Sequence, residues 1–170
     1  IENPGEDVIF DVSGHGPYQE FGMTELFFEG AEPNLGDFPL DDLLALFPEG
    51  EYEFEGLTVD NQELESTAIL SHAVPNGPRN VTATLSGNSL VIRWKGVTTT
   101  PPGFPVRPIS IAGYQVIVKP FQVTVPANVR SVTVPREFVR SLPSGEVLFE
   151  VLAIDRSGNQ SITESSFVKP

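Results

Sequence analysis

The stretch Ser89-Leu90-Val91-Ile92-Arg93-Trp94-Lys95 alternates Leu90, Ile92 and Trp94 with Val91, Arg93 and Lys95. That period of two marks a strand with one buried face. Trp94 is the only tryptophan of the 170 residues, and matching apolar rows recur on both sides of it. Val81, Ala83 and Leu85 precede it; Tyr114, Val116 and Val118 follow, then Val147, Phe149, Val151 and Ala153. Short strands are also expected at Phe121 to Val125, at Val129 to Val134 and at Ser161 to Val168, with one helical turn allowed between Arg136 and Gly145. Seven short strands in about 95 residues, separated by turn signals, predict a Greek-key β-sandwich. Trp94 is then sealed between two facing layers.

Charge divides the chain. Residues 1–75 hold 18 Asp and Glu and no Lys or Arg, whereas residues 76–170 hold 5 acidic and 10 basic side chains. The first half therefore carries about −18 and the second about +5, a break that predicts two modules. His72 to Pro78, with two prolines and a glycine, is the expected boundary. Phosphate contacts need cations, so the first half is not expected to bind nucleic acid. No apolar run reaches the roughly 18 residues of a membrane span. Cysteine is absent, which excludes disulfides and leaves the redox compartment open. No signal peptide is present, and Ile1 reads as a processed or artificial end.

Within the acidic half, Glu6 to Ser13 reads as a short strand with Val8, Phe10 and Val12 on one face. Ser13-Gly14-His15-Gly16-Pro17 forces a turn. Tyr18 to Glu29 is ambiguous, and Met23 to Phe28 fits a strand better than a helical turn because glycines and Pro33 bound it closely. Asp37 to Phe47 predicts a helix, with Asp41 and Asp42 near its positive end and Leu40, Leu43, Leu44 and Phe47 on one face. So short a helix must pack its apolar stripe on a sheet. Glu51 to Leu70 predicts a hairpin around Asp60-Asn61-Gln62. A two-residue loop would mix glutamate with the aromatic rows. A three-residue loop gathers Tyr52, Phe54, Leu64, Ala68 and Leu70 on one face and Glu51, Glu53, Glu55, Glu63 and Glu65 on the other, so the odd loop is the expected one.

Pro78 with Val81 and Ala83, Ser89 to Trp94, Gly113-Tyr114-Gln115-Val116, and Phe149 to Asp155 followed by Ser157-Gly158-Asn159 together resemble the fibronectin type III family over residues 76–170. The resemblance implies a seven-stranded immunoglobulin-like sandwich. The family usually carries a tyrosine where this chain has Val147, so that corner's hydrogen bond is expected to be absent or replaced. There is no Arg-Gly-Asp, and integrin binding does not carry over. Residues 22–75, through Thr24-Glu25-Leu26-Phe27-Phe28-Glu29 and Phe47-Pro48-Glu49-Gly50-Glu51-Tyr52, resemble a segment of uncharacterised bacterial secreted proteins. That likeness implies more natural chain upstream.

The glutamate face is ordinarily a solvated one; a basic partner, the neighbouring domain or Ca²⁺ are its alternatives, although no Asp-x-Asp-x-Asp-Gly loop is present. Contact between the acidic module and Arg or Lys of residues 76–170 would relieve like charge in a small domain. Independent tumbling of the halves in NMR relaxation at low salt would contradict it. His15 and His72 are the only histidines and lack a nucleophile or zinc motif around them. No catalytic residue, metal or cofactor is assigned. The loops Val97–Pro108 and Asp155–Gln160 should share one end of the sandwich, where such folds bind partners. The first is stiffened by four prolines and carries Phe104, Val106 and Arg107; the second carries Arg156 and Asn159. Phe104 has an alternative role, packing back onto the sandwich or the first domain.

These features predict a non-catalytic secreted or periplasmic module that contacts protein or polysaccharide or spaces other domains. An accessory region of a secreted hydrolase is the rival. A calcium-stabilised surface adhesin is a further alternative, tested by a calcium-dependent rise in melting temperature.

Overall fold

The computed structural model describes residues 1–22 and 36–170. It is mainly β and divides into two compact units, Ile1–His72 and Ala73–Pro170. The expected strand at Met23–Phe28 lies outside the described residues.

In the first unit, Glu6 to Ser13 is not a strand. Asn3 folds its side chain back to accept the backbone N–H of Gly5 (2.9 Å) and of Asp7 (3.0 Å). Its own N–H donates to the Asp7 carbonyl at 3.0 Å. This local turn competes with any ladder, and Glu2 alone reaches the sheet, bridging Val8 and Glu53. Within the ambiguous Tyr18 to Glu29 stretch, Tyr18 to Phe21 is helical. Pro17 presets the first turn of α1 (Pro17–Phe21), and Gly22, at φ 73°, ends it. The helix expected over Asp37 to Phe47 forms as the shorter α2 (Leu40–Leu46), with Asp41 and Asp42 in its first turn. Its stripe packs only partly: Leu40, Leu43 and Leu44 are half-buried and Phe47 is exposed.

The hairpin pairs β1 (Gly50–Leu57) with β2 (Glu63–Leu70) in the expected parity, Tyr52 opposite Ala68 and Glu55 opposite Glu65. Its loop is indeed three residues, Val59-Asp60-Asn61, one position earlier than expected. Thr58 and Gln62 close it, and Asn61 takes the left-handed conformation at φ 56°. Tyr52 is the buried hydrophobic of this unit among the described residues, its hydroxyl donating to the Pro48 carbonyl at 2.9 Å.

Burial raises the Tyr52 pKa above its ordinary 10.0. The unfolded phenol therefore loses its proton first, and above pH 10 the unfolded state binds fewer protons than the native one. Stability from this group is full below the ordinary value and falls as pH climbs from there through the raised native value. Urea unfolding of the first unit at about pH 9 and pH 11, followed by circular dichroism, should show this loss in the wild type and a smaller one in Tyr52→Phe.

The second unit is a β-sandwich. One sheet orders β3 (Arg79–Ser86), β4 (Ser89–Lys95) and β7 (Ser131–Val134) as β3-β4-β7. The other orders β5 (Ile111–Val118), β6 (Phe121–Pro126), β8 (Gly145–Asp155) and β9 (Gln160–Lys169) as β6-β5-β8-β9. All seven predicted strands are present, and both connections between the sheets on either side of the β5–β6 hairpin are crossovers. The rows read from the sequence form one core: Leu90, Ile92, Trp94, Tyr114, Val116, Val118, Phe149, Val151 and Ala153 are buried together, with Val81, Ala83 and Leu85 packed against them. Trp94 is 4% exposed, as its place between the layers requires.

A third crossover, from β7 to β8, holds α3 (Arg136–Ser141). Val147 is buried and brings no hydroxyl. Lys169 from β9 donates its ammonium to the carbonyls of Arg140, at 3.1 Å, and Leu142. A cation at the carbonyl end of a helical turn is electrostatically favoured there. The lead-in to β3 is part of the sandwich. Pro75 and Pro78 are fully buried, and their carbonyls accept the hydroxyls of Ser161 (2.6 Å) and Thr163 (2.7 Å).

Candidate partner-binding surface

Three connections meet at one end of the sandwich: residues 96–110 after β4, 127–130 after β6 and 156–159 after β8. Antiparallel pairing forces this, because Ile111 lies opposite Asp155, Gly113 opposite Pro126, and Arg93 opposite Ser131. The sequence expectation that the first and third share an end is met.

Asp155 is the hub. It is the buried polar side chain among the described residues, and its two oxygens serve different loops. Oδ2 accepts the Ser110 N–H at 2.6 Å and Oδ1 the Ser157 N–H at 2.9 Å. Backbone bonds from Arg156 N–H to the Ser110 carbonyl (2.8 Å) and from Asp155 N–H to the Asn159 carbonyl (2.9 Å) complete the clamp. Charge-assisted bonds of this kind fix loops more firmly than neutral ones.

Beneath the loops Trp94, Tyr114 and Arg130 stack. The two rings are 5.5 Å apart and tilted by 50°, and the Arg130 guanidinium lies 4.9 Å from the Tyr114 ring centre. The guanidinium also donates to the carbonyls of Ala127 and Val129. The Tyr114 hydroxyl accepts the Val97 N–H at 2.9 Å, anchoring the start of the long loop. Gly96 leaves room for the guanidinium: a Cβ would stand 2.7 Å from Arg130 Nη2 and push that side chain aside.

On this support Val106 is 96% exposed, Arg107 and Arg156 are exposed, and Phe104 and Asn159 are half-buried. Phe104 is thus partly packed, while Val106 projects. The adjoining hollow, lined by Asn76, Gly77, Arg79 and Gly96 to Thr99, holds about 110 Å³. That is well under the roughly 300–1,000 Å³ of a small-molecule pocket.

Sequence reasoning missed Asp155 and Arg130 as organisers. Asp155-Arg156-Ser157-Gly158 does carry turn chemistry that could have flagged the first, whereas nothing local marks the second.

The glutamates take the predicted common face of the hairpin, Glu55 directly opposite Glu65 and Glu63 opposite Leu57. Among the described residues no group of three or more His, Cys, Asp or Glu is placed to hold a metal ion. His15 is exposed; His72 closes the hairpin, its ring bonded to the Phe47 carbonyl at 2.7 Å and its N–H donating to Glu49 at 2.6 Å. Among the described residues no helix is long and apolar enough to cross a membrane.

No family model matches the chain, and no curated protein matches it. Among solved structures, the Clostridium perfringens spore cortex lytic enzyme SleM is similar over 56% of this chain and 28% of its own, at 21% identity and a TM-score of 0.45.

Proposed function

We propose that the chain is a non-catalytic secreted or periplasmic module, its second unit a fibronectin type III-like Greek-key domain that contacts protein or polysaccharide or spaces other domains. The single observation that carries this reading is the clamped loop end. A buried carboxylate and an Arg–Tyr–Trp stack hold three loops rigid, and Val106, Arg107 and Arg156 stand exposed on them. Rigid presentation lowers the entropy lost on binding. The split of strands into β3-β4-β7 and β6-β5-β8-β9 supports this reading, since a domain of that kind also packs a three-stranded sheet on a four-stranded one. An accessory region of a secreted hydrolase would use the same surface, and a catalytic domain in the same gene would favour that rival.

The test compares the intact chain with Val106→Ser/Arg156→Ala on glycan arrays and in pulldowns. Surface changes of this kind alter stability by about 0.5 kcal/mol or less, so the melting temperature should hold while binding falls at least roughly tenfold, about 1.4 kcal/mol. Unchanged binding by the variant would remove the loop end from the function.

A further inference from the structure

The first unit carries a second surface, independent of the sandwich loops. β2 has β1 on one side and, among the described residues, no strand on the other. The outer edge of β1 is already used, Glu2 and Glu53 exchanging backbone bonds of 2.9 and 3.1 Å. Along β2, Glu63 to Ile69 are all exposed. Every second residue of such a strand turns its N–H and C=O outward.

Folded proteins ordinarily blunt a long exposed edge with charged side chains, lysine above all, with proline or with a bulge. Here the charges are Glu63 and Glu65, which repel only an acidic strand. Glu63-Leu64-Glu65-Ser66-Thr67-Ala68-Ile69-Leu70 contains no lysine and no proline. Its pairing with β1 runs without a shift from Gly50–Leu70 to Leu57–Glu63. The edge is left able to pair.

Its two faces specify what pairs with it. One presents Glu63 and Glu65 beside Glu51, Glu53 and Glu55, with Glu55 and Glu65 directly opposed. Like charges placed so are unfavourable, and residues 1–75 contain no Lys or Arg to relieve them. The other face carries Leu64, Ala68 and Leu70 beside Tyr52 and Phe54, next to an apolar hollow of about 270 Å³ that Phe47 and Ile9 also line.

We infer that β2 accepts an extended segment of a basic partner protein by strand addition, with Lys or Arg alternating with apolar side chains. Its cations would face Glu63 and Glu65 and its apolar residues would continue the Leu64–Ala68–Leu70 row. Main-chain bonds supply affinity in this mode and the alternate side chains supply specificity. A second copy fits poorly, because it would bring another 18 carboxylates without a cation from residues 1–75.

The test titrates the full chain with a short labelled peptide alternating lysine and valine. Binding should slow hydrogen exchange at the β2 amides and weaken about tenfold between roughly 50 and 300 mM NaCl. A glutamate–valine peptide, and the lysine–valine peptide with a central proline, should each bind at least about tenfold more weakly. Glu63→Lys/Glu65→Lys should lose binding to the same extent, and Glu63→Gln/Glu65→Gln partly. The glutamine pair keeps the test open if charge reversal prevents folding. Equal binding of the proline peptide would reduce the effect to non-specific attraction and overturn the proposal. So would protection, in the free monomer, of the β2 amides that face away from β1, or a dimer whose dissociation exposes them.

Discussion

Replacing Trp94 by alanine will destabilise the second unit by about 3–5 kcal/mol, the cost of emptying a large aromatic site in a close-packed core. The indole is buried in a cluster with Leu90, Ile92, Tyr114, Val116, Phe149 and Val151, and its ring lies 5.5 Å from that of Tyr114. Relaxation cannot refill that space cheaply, because both neighbouring sheets are held by their ladders. Phenylalanine should behave differently. Trp94 Nε1 is buried with no hydrogen-bond partner, and an unmade buried bond costs about 1–3 kcal/mol. Trp94→Phe removes that orphan donor along with some volume, so it should recover most of the loss and cost less than about 1.5 kcal/mol. Urea unfolding read by far-ultraviolet circular dichroism gives both values. An alanine variant with an unchanged midpoint would mean that the core lies elsewhere.

The same comparison shows what was legible in the chain. One-sided burial imprints a period of two, so Leu90/Ile92/Trp94, Tyr114/Val116/Val118 and Val147/Phe149/Val151/Ala153 could be read directly as inward rows. The parity of the acidic hairpin was readable for a related reason: a one-residue slip would have exchanged the Tyr52–Phe54 row with the glutamates. Residues 6–13 misled because Asn3, outside the apolar pattern, bends the backbone with its side chain.

For the candidate surface, exposure at Val106 and Arg156 was readable from loop composition. What holds those loops was not. The Asp155–Ser110 bond joins residues 45 apart, and Arg130 reaches Tyr114 from the connection between β6 and β7. Such contacts leave no periodic trace. The Lys169 clamp on the carbonyls at the end of α3 is of the same kind.

Asp155→Ala should therefore act on the surface more than its position at the end of a strand suggests. The substitution removes acceptors from the Ser110 and Ser157 amides at once. Both serines are exposed, so water can partly replace the carboxylate, and the expected cost is about 1–3 kcal/mol rather than the full sum for two sealed donors. Asp155→Asn tests the charge. Its amide keeps one acceptor oxygen but turns an NH₂ toward the other backbone donor, so one of the two loops must let go. We expect amide exchange to accelerate at Ser110 or Ser157 in the asparagine variant and at both in the alanine variant, while the amides of Ile92 and Val116 in the core stay protected. Partner binding measured with the intact chain should weaken in the same order, since loosened loops must be ordered again on contact. If both variants keep wild-type exchange at Ser110 and Ser157, the carboxylate is not what organises this end, and rigidity of the loop surface needs another source.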